Sequence, residues 1–342
     1  MLNRILFIRR DNVGDLICTT PAIHAVRERY PQARIGILVN SYNADIVAGN
    51  PDIDTVYVYR KAKHVPGEGR LAVWWSNLQL LRGIRRERYD VAIACGSHSP
   101  TLAGYAGRTG AARRIGYVPA GGRNRWYTDP VAVCADPEHE VERVFRLVQT
   151  LGVTGEPSGM VLVPNSDEMA RFAAFRQEQG RGAKRPLVAV AISARGAKKQ
   201  WPLDKFITLL RHLEEAARCD LLLLWAPGPQ SSPAFPGDDE AADQVIAACG
   251  PGLMAYPTKT LPSLVAALAS ADLVVSLDTG SLHMAAALGK PTVALMHEGN
   301  APFWYPWQTR SMVLTATSVA TIEVAEVLAA LESLLPAGDA RR

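Results

Sequence analysis

Short apolar runs alternate with stretches of helical periodicity along almost the whole chain, the pattern of βαβ units on a parallel sheet. In the first half, Ile5–Ile8, Ile35–Val39, Thr55–Tyr59 and Val91–Cys95 read as strands, with helix-like stretches Thr20–Tyr30 and Val73–Arg88 between them. Pro31 stops the first helix and Gly96 ends the fourth strand. The pattern then restarts. Leu187–Ile192 reads as a buried strand, followed by Trp201-Pro202 and an amphipathic helix to Ala217. Leu221–Trp225, a Pro/Gly-rich loop, a helix ending near Cys249 and the apolar stretch Leu264–Ala269 come next. Leu273–Ser276, a short helix Ser281–Leu288, Thr292–Leu295 and a last helix Thr321–Leu335 complete the series.

The break lies between Glu156-Pro157-Ser158-Gly159 and the basic, Gly-rich Gly180–Pro186. It predicts domains over 1–160 and 161–320, with 321–342 as a C-terminal helix and loose tail. The expected fold class is α/β, two Rossmann-like doubly wound domains facing a central crevice. Such folds bind ligands at the carboxyl ends of their strands. A length of 342 residues agrees with two domains.

Composition narrows the class only slightly. The net charge of +4 is too mild to announce a nucleic-acid binder. It is unevenly spread, however, at +6 over residues 1–165 and −2 over 166–342. A basic first half asks for an anionic partner. The apolar run Ile5–Ile8, closed by Arg9-Arg10, is shorter than the roughly 7–15 residues of a secretory core. No stretch reaches the roughly 18 apolar residues of a membrane span. The 5 cysteines are odd in number and lack any C-x-x-C spacing. Reduced thiols and a cytoplasmic location are expected.

Three strand-to-helix junctions could carry chemistry. The first is Ile5–Ile8 running through Arg9-Arg10-Asp11-Asn12-Val13-Gly14-Asp15-Leu16. Gly14 would free the backbone, and Asp15 either caps the next helix or offers a carboxylate at the rim. The second, Ser193 to Pro202, sets Lys199 before a helix start, where phosphates bind well, or is simply a solvated loop over Trp201. The third is Ser276-Leu277-Asp278-Thr279-Gly280-Ser281-Leu282-His283. Its Asp-Thr-Gly-Ser is not an aspartic-protease motif, because there is one copy, set between a strand and a helix. What remains is an anion site of backbone N–H groups at Thr279–Ser281, with His283 in the first helical turn.

Absences matter as well. No G-x-G-x-x-G follows a strand, and neither a Walker A sequence nor H-E-x-x-H occurs. Asp238-Asp239-Glu240 reads as a charged helix start rather than a metal site. Among the basic residues, Arg82–Arg88 reads as a solvated helix face, with Glu87 interleaved. The loop sets Arg60, Lys61, Lys63 and Arg108, Arg113, Arg114, Arg123, Arg125 are better candidates for an anionic partner.

In combination these motifs resemble glycosyltransferase family nine, the lipopolysaccharide heptosyltransferases and their relatives. The matching residues are Ile5–Ile8 with Val13-Gly14-Asp15 and Thr20-Pro21-Ala22, Tyr89-Asp90-Val91-Ala92-Ile93 and Arg114-Ile115-Gly116-Tyr117. They continue with Lys199-Gln200-Trp201-Pro202, Asp278 to His283, and Gly289-Lys290-Pro291-Thr292. The resemblance implies a GT-B fold, with acceptor on the first domain and nucleotide sugar on the second. It implies inverting, metal-independent transfer with no cofactor beyond the donor, ADP-heptose being the leading choice. By the same resemblance Asp15 is the base, Lys199 contacts phosphate, and Asp278, Thr279, Gly280 and His283 form the nucleotide-sugar loop. Ser281, from the anion site, and Ser193, the one hydroxyl left near the lysine where Ala194-Arg195 depart from the family pattern, complete the donor candidates. Asp239 or Glu240 is the candidate ribose contact, after an apparent insertion at Pro229–Gly237. Arg60, Lys61, Lys63 and Arg123 would meet an anionic glycolipid acceptor, with peripheral contact to the inner membrane and no nucleic acid. The rival is a non-catalytic nucleotide or nucleotide-sugar-binding protein in which Asp15 only caps a helix. A nicotinamide oxidoreductase lacks its glycine fingerprint here, and a nucleic-acid binder lacks interleaved aromatics apart from Trp126-Tyr127.

Overall fold

The computed structural model describes residues 2–60, 70–180, 185–232 and 236–335. The chain divides into two compact units, Met1–Val163 and Pro164–Arg342. In the first unit the strands are β1 (Arg4–Ile8), β2 (Arg34–Asn40), β3 (Thr55–Tyr59), β4 (Val91–Ala94), β5 (Arg113–Val118) and β6 (Asp129–Ala132). They form one parallel sheet in the order β3-β2-β1-β4-β5-β6. Helices α1 (Val13–Ile17), α2 (Thr20–Arg29), α3 (Arg70–Arg86), α4 (Pro100–Arg108) and α5 (Glu140–Gln149) accompany it. Ile5, Leu6, Phe7 and Ile8 are all fully buried. That explains why β1 reads as an unbroken apolar run rather than an alternating one, since both faces of a central parallel strand are covered.

The second unit opens with α6 (Ser166–Glu178) and builds the same design. Its strands are β7 (Leu187–Ala191), β8 (Asp220–Trp225), β9 (Leu253–Pro257), β10 (Leu273–Leu277), β11 (Thr292–His297) and β12 (Ser311–Ala316). They are parallel and ordered β12-β11-β10-β7-β8-β9. The helices are α7 (Leu203–Ala216), α8 (Asp239–Cys249), α9 (Leu261–Ser270), α10 (Gly280–Ala287), α11 (Ala301–Trp304) and α12 (Val324–Leu334). Counted from its own first strand, each sheet runs 3-2-1-4-5-6. The chain therefore reverses direction between β1 and β4 and between β7 and β10, and the crevice at such a reversal is where these folds bind ligands.

Strands β6, β9 and β12 escape the apolar-run reading because they are sheet edges and only partly buried. β5 escapes it because Arg113 and Arg114 open it. The terminal helix is part of the second unit's core: Val327, Ala330, Leu331 and Leu334 pack in one cluster with Val188 and Val190 of β7. The Trp201 indole lies in that cluster too, edge-on to Phe206 with ring centres 4.8 Å apart, and donates to the Ile322 carbonyl at 2.9 Å. The loop before α7 is thereby tied to the entry of α12.

Candidate active site

In the first unit the site begins where β1 ends. Arg9 follows the strand directly, and its side chain is only 1% exposed. Three carboxylates surround it: Asp15 Oδ1 at 2.5 Å from Nη2, Glu140 Oε1 at 2.7 Å from Nη1, and Asp11 Oδ2 at 3.3 Å from Nε. Burial opposes the Arg9 charge, but Glu140, Asp15 and Asp11 outweigh it and hold its pKa above the ordinary range. Asp15, at 16% exposure, is the reachable member of the pair.

The helix cap differs from the expectation. Asn12 occupies the cap of α1, and Asp15 sits in the first turn, where its Oδ2 accepts the Asn12 N–H at 3.0 Å. Asp15 therefore has a capping-box role as well as its bond to Arg9. Gly14 lies inside α1 with an ordinary negative φ, so its freedom is not used for a turn. Two buried amides fix the loop instead. Asn40 Nδ2 donates to the Asp11 carbonyl at 2.9 Å and Asn43 Nδ2 to the same oxygen at 3.1 Å.

Glu140, Asn40 and Asn43 were not legible as site residues. Glu140 opens α5, and its second oxygen takes Arg143 Nη1 at 3.2 Å. In sequence it reads only as an acid at a helix start, because its partner Arg9 lies 131 residues away. The neighbouring thiols are not nucleophiles: burial pushes Cys95 up to about 12 and Cys18 well above its usual value.

The basic sets come apart. Arg60 is exposed at the end of β3, with its backbone held by the Asn77 amide at 2.9 and 2.8 Å. Arg123 is exposed in the β5–β6 connection. Arg60 follows β3 directly and so shares the carboxyl edge of the sheet with Asp15, whereas Arg123 lies part-way along the return of the chain from the end of β5 to the start of β6. Lys61 and Lys63 lie outside the described residues. Arg113 and Arg114, expected in a free basic loop, are structural: Arg113 pairs with Asp129 at 2.7 Å, and Arg114 donates to the Trp126 and Ala111 carbonyls at 2.6 Å each.

In the second unit the fold brings Lys199 and Asp278 together. Lys199 ends a 3-10 turn (Ala197–Lys199) in the loop after β7, entered through Gly196 at φ +88°. That is a left-handed conformation glycine adopts without strain. Asp278 follows β10, the neighbour of β7, and its Oδ2 lies 2.9 Å from Lys199 Nζ. Asn300 Nδ2 donates to the same oxygen at 2.7 Å. Asp278 is 5% exposed and Lys199 36%.

Beside them Thr279 caps α10, whose first turn is Gly280, Ser281 and Leu282. The expected anion site at Thr279–Ser281 narrows here. The Thr279 N–H donates to the Leu277 carbonyl at 2.7 Å and the Leu282 N–H to the Thr279 carbonyl at 3.2 Å, which leaves the Gly280 and Ser281 N–H groups to attract an anion. A hydroxyl chain braces it: Ser281 Oγ lies 2.8 Å from both Ser276 Oγ and Thr279 Oγ1. His283 is buried and meets Trp304 edge-on at 5.7 Å.

The remaining donor candidates divide. Ser193 Oγ accepts the Ala226 N–H at 2.8 Å, joining the ends of β7 and β8. Asp239 uses both oxygens to close the β8–α8 loop, taking the Trp225 indole and the Gly228 N–H at 2.8 Å each. Glu240 is exposed and lines a pocket of about 400 Å³ with Gln200, Pro202, Asp238 and Gln244. Among the described residues, no group of three or more His, Cys, Asp or Glu is placed to hold a metal ion.

Two parallel sheets of Rossmann order, each with charged residues at its reversal point, define an α/β protein of GT-B type. The comparisons agree. The family model for glycosyltransferase family 9 (heptosyltransferase) matches residues 77–329, and the chain belongs to that family. It is 24% identical to lipopolysaccharide heptosyltransferase 3 of Escherichia coli (strain K12), over 94% of this chain and 95% of the other. Its fold matches the family 9 glycosyl transferase of Veillonella parvula with a TM-score of 0.83 at 20% identity, covering 97% of each chain. An E. coli heptosyltransferase solved with ADP gives 0.78 at 18% identity, over 96% of this chain and 99% of the other.

Proposed function

We propose that this glycosyltransferase moves a heptose, or a related sugar, from an ADP-sugar to a lipopolysaccharide-type glycolipid, with inversion and without a metal. On this reading it works at the cytoplasmic face of the inner membrane, and its first unit carries the acceptor. The observation that carries the reading is the cluster at the β7/β10 reversal, where Lys199 and the start of α10 stand together beside buried Asp278. A cation and unpaired helix N–H groups at one point suit a diphosphate.

The acceptor hydroxyl oxygen attacks the anomeric carbon while the bond from that carbon to the diphosphate oxygen breaks. The hydroxyl proton passes to Asp15, whose carboxylate is aimed by Arg9 and the Asn12 N–H. Base catalysis of this kind contributes typically ~10²–10⁴-fold. The negative charge gathering on the leaving diphosphate is met by Lys199 and the α10 N–H groups. One displacement inverts the anomeric centre. Glu240 lines the pocket and, among the described residues, takes only the exposed Gln230 N–H, at 3.1 Å, whereas Asp239 spends both oxygens on its own loop at 2.8 Å each, so Glu240 is the better ribose contact. Arg60 and Arg123 meet acceptor phosphates.

Asp15→Ala tests the base. Transfer should fall by about 10²–10⁴-fold while calorimetry shows ADP binding unchanged; undiminished turnover would overturn the mechanism. The nucleotide is tested by thermal shift. ADP should stabilise the protein where UDP and GDP do not, by about 2.7 kcal/mol at 100 times its Kd.

A further inference from the structure

Helix α3 has one face in the first unit's core and one that is exposed among the described residues. Val73 and Ile84 are buried, and Leu80 packs on the same core cluster as Tyr59 and Ala103. At helical spacing the opposite face carries Leu71, Trp74, Trp75 and Leu78, then Arg82, Arg85 and Arg86. Leu71 is 83% exposed, Trp74 59% and Trp75 48%. Two adjacent indoles and a leucine in water are costly to leave bare, and an apolar patch of this kind marks a contact surface.

The charges beside the patch point to its occupant. Glu87 is the acid nearest these arginines in sequence, and it is turned away: its carboxylate takes Arg4 at 3.0 Å and Arg34 at 3.5 Å. No carboxylate among the described residues pairs with Arg82, Arg85 or Arg86. Arg82 instead lies over the Trp75 ring, 5.7 Å from its centre. Indoles settle at the boundary between lipid headgroups and acyl chains, and arginines beside them reach the phosphates.

We infer that the outer face of α3 is a docking surface for an anionic phospholipid bilayer, with Leu71, Trp74 and Trp75 entering the interface and Arg82, Arg85 and Arg86 holding phosphates. The inference extends the glycolipid-acceptor reading and uses none of that reading's site residues. Among the described residues no helix is long and apolar enough to cross a membrane.

The full chain should co-sediment with vesicles of phosphatidylethanolamine and phosphatidylglycerol, and less so as salt rises. Trp74→Ser with Trp75→Ser should lower the partition constant by about tenfold or more. Arg82→Gln, Arg85→Gln and Arg86→Gln together should erase the preference over phosphatidylcholine vesicles. Asp15→Ala should bind vesicles like the parent. The tryptophan variant should keep full transfer to a delipidated, water-soluble acceptor, so a wrong sugar-transfer reading and a wrong docking surface give different results. Three results would each overturn the inference: no vesicle binding by the parent, equal binding by parent and tryptophan variant, or a parent dimer that the tryptophan changes split.

Discussion

The two units place opposite charges at equivalent points of the same topology. At the β1/β4 reversal the buried member of the ion pair is a cation, Arg9, and the reachable member is an acid, Asp15. At the β7/β10 reversal the buried member is an acid, Asp278, and the reachable member is a cation, Lys199. The fold sets where a ligand can sit, whereas the sign of the buried residue sets what the exposed one can do. A buried arginine among carboxylates holds a carboxylate in a fixed direction at the reachable position, where the proposed mechanism needs its base. A buried aspartate presents an ammonium suited to receiving a phosphate.

The contrast predicts that changing a buried member costs mainly the fold and changing a reachable one mainly the reaction. Arg9→Met is the most damaging case, because Glu140 would remain buried without its main counter-charge. Breaking such a pair costs about 3–5 kcal/mol, to be read from urea unfolding. Adding Glu140→Gln should recover part of that loss, a coupling that independent sites would not show. A small loss in Arg9→Met would mean that the buried cation does not organise this end of the sheet.

Lys199→Ala should do the reverse. Asp278 keeps its Asn300 hydrogen bond, and water can replace an ammonium that is 36% exposed. The fold should therefore lose only about 1 kcal/mol. Transfer should fall roughly 10²–10³-fold in kcat, the scale of removing one donor to developing charge. Single-turnover rates would separate this from a change in donor affinity. A stability loss as large as that of Arg9→Met would erase the distinction between the two units.

How far this could be read from the chain depended on distance along it. Central strands such as β1, β7 and β10 are buried on both faces and announce themselves as apolar runs. The edge strands β6, β9 and β12 are only partly buried and do not, whereas the edge strand β3 shows itself by its β-branched and aromatic residues. Asp15, Lys199 and Asp278 stand at strand ends, where the topology makes any charged residue conspicuous. Glu140, Asn40 and Asn43 were invisible because each acts through a contact that only folding creates. The arginines show the opposite error: Arg113 and Arg114 look free in sequence because Asp129 and the Trp126 carbonyl come from beyond the basic stretch and the nearby Ala111 carbonyl carries no side-chain signal.

A finer test lies inside the second unit, between adjacent acids. Asp239→Ala would strip partners from the Trp225 indole and the Gly228 N–H, costing about 1–3 kcal/mol of stability. Glu240→Gln should leave the unfolding midpoint almost unchanged and weaken ADP binding, by calorimetry. The opposite assignment, with Asp239 changing affinity and Glu240 stability, would return the ribose contact to Asp239.

The smallest effect belongs to the Arg113–Asp129 pair, whose arginine reads in sequence as part of an anion-binding set and is held by a carboxylate in the fold. Burial works to raise the Asp129 pKa, but hydrogen bonds from Arg113 and Thr128 overcome it and hold the carboxylate below its ordinary value. A lowered folded-state value means the contribution is present above the unfolded pKa of about 3.9 and disappears as pH falls through the folded one. The pair is partly exposed, so Asp129→Asn should cost under about 1 kcal/mol near neutral pH. The parent and the variant should converge in stability as the solution is acidified, while transfer is unaffected at neutral pH. A change in acceptor KM instead would put Arg113 among the residues that bind the acceptor, and the separation of structural from exposed arginines in this unit would have to be redrawn.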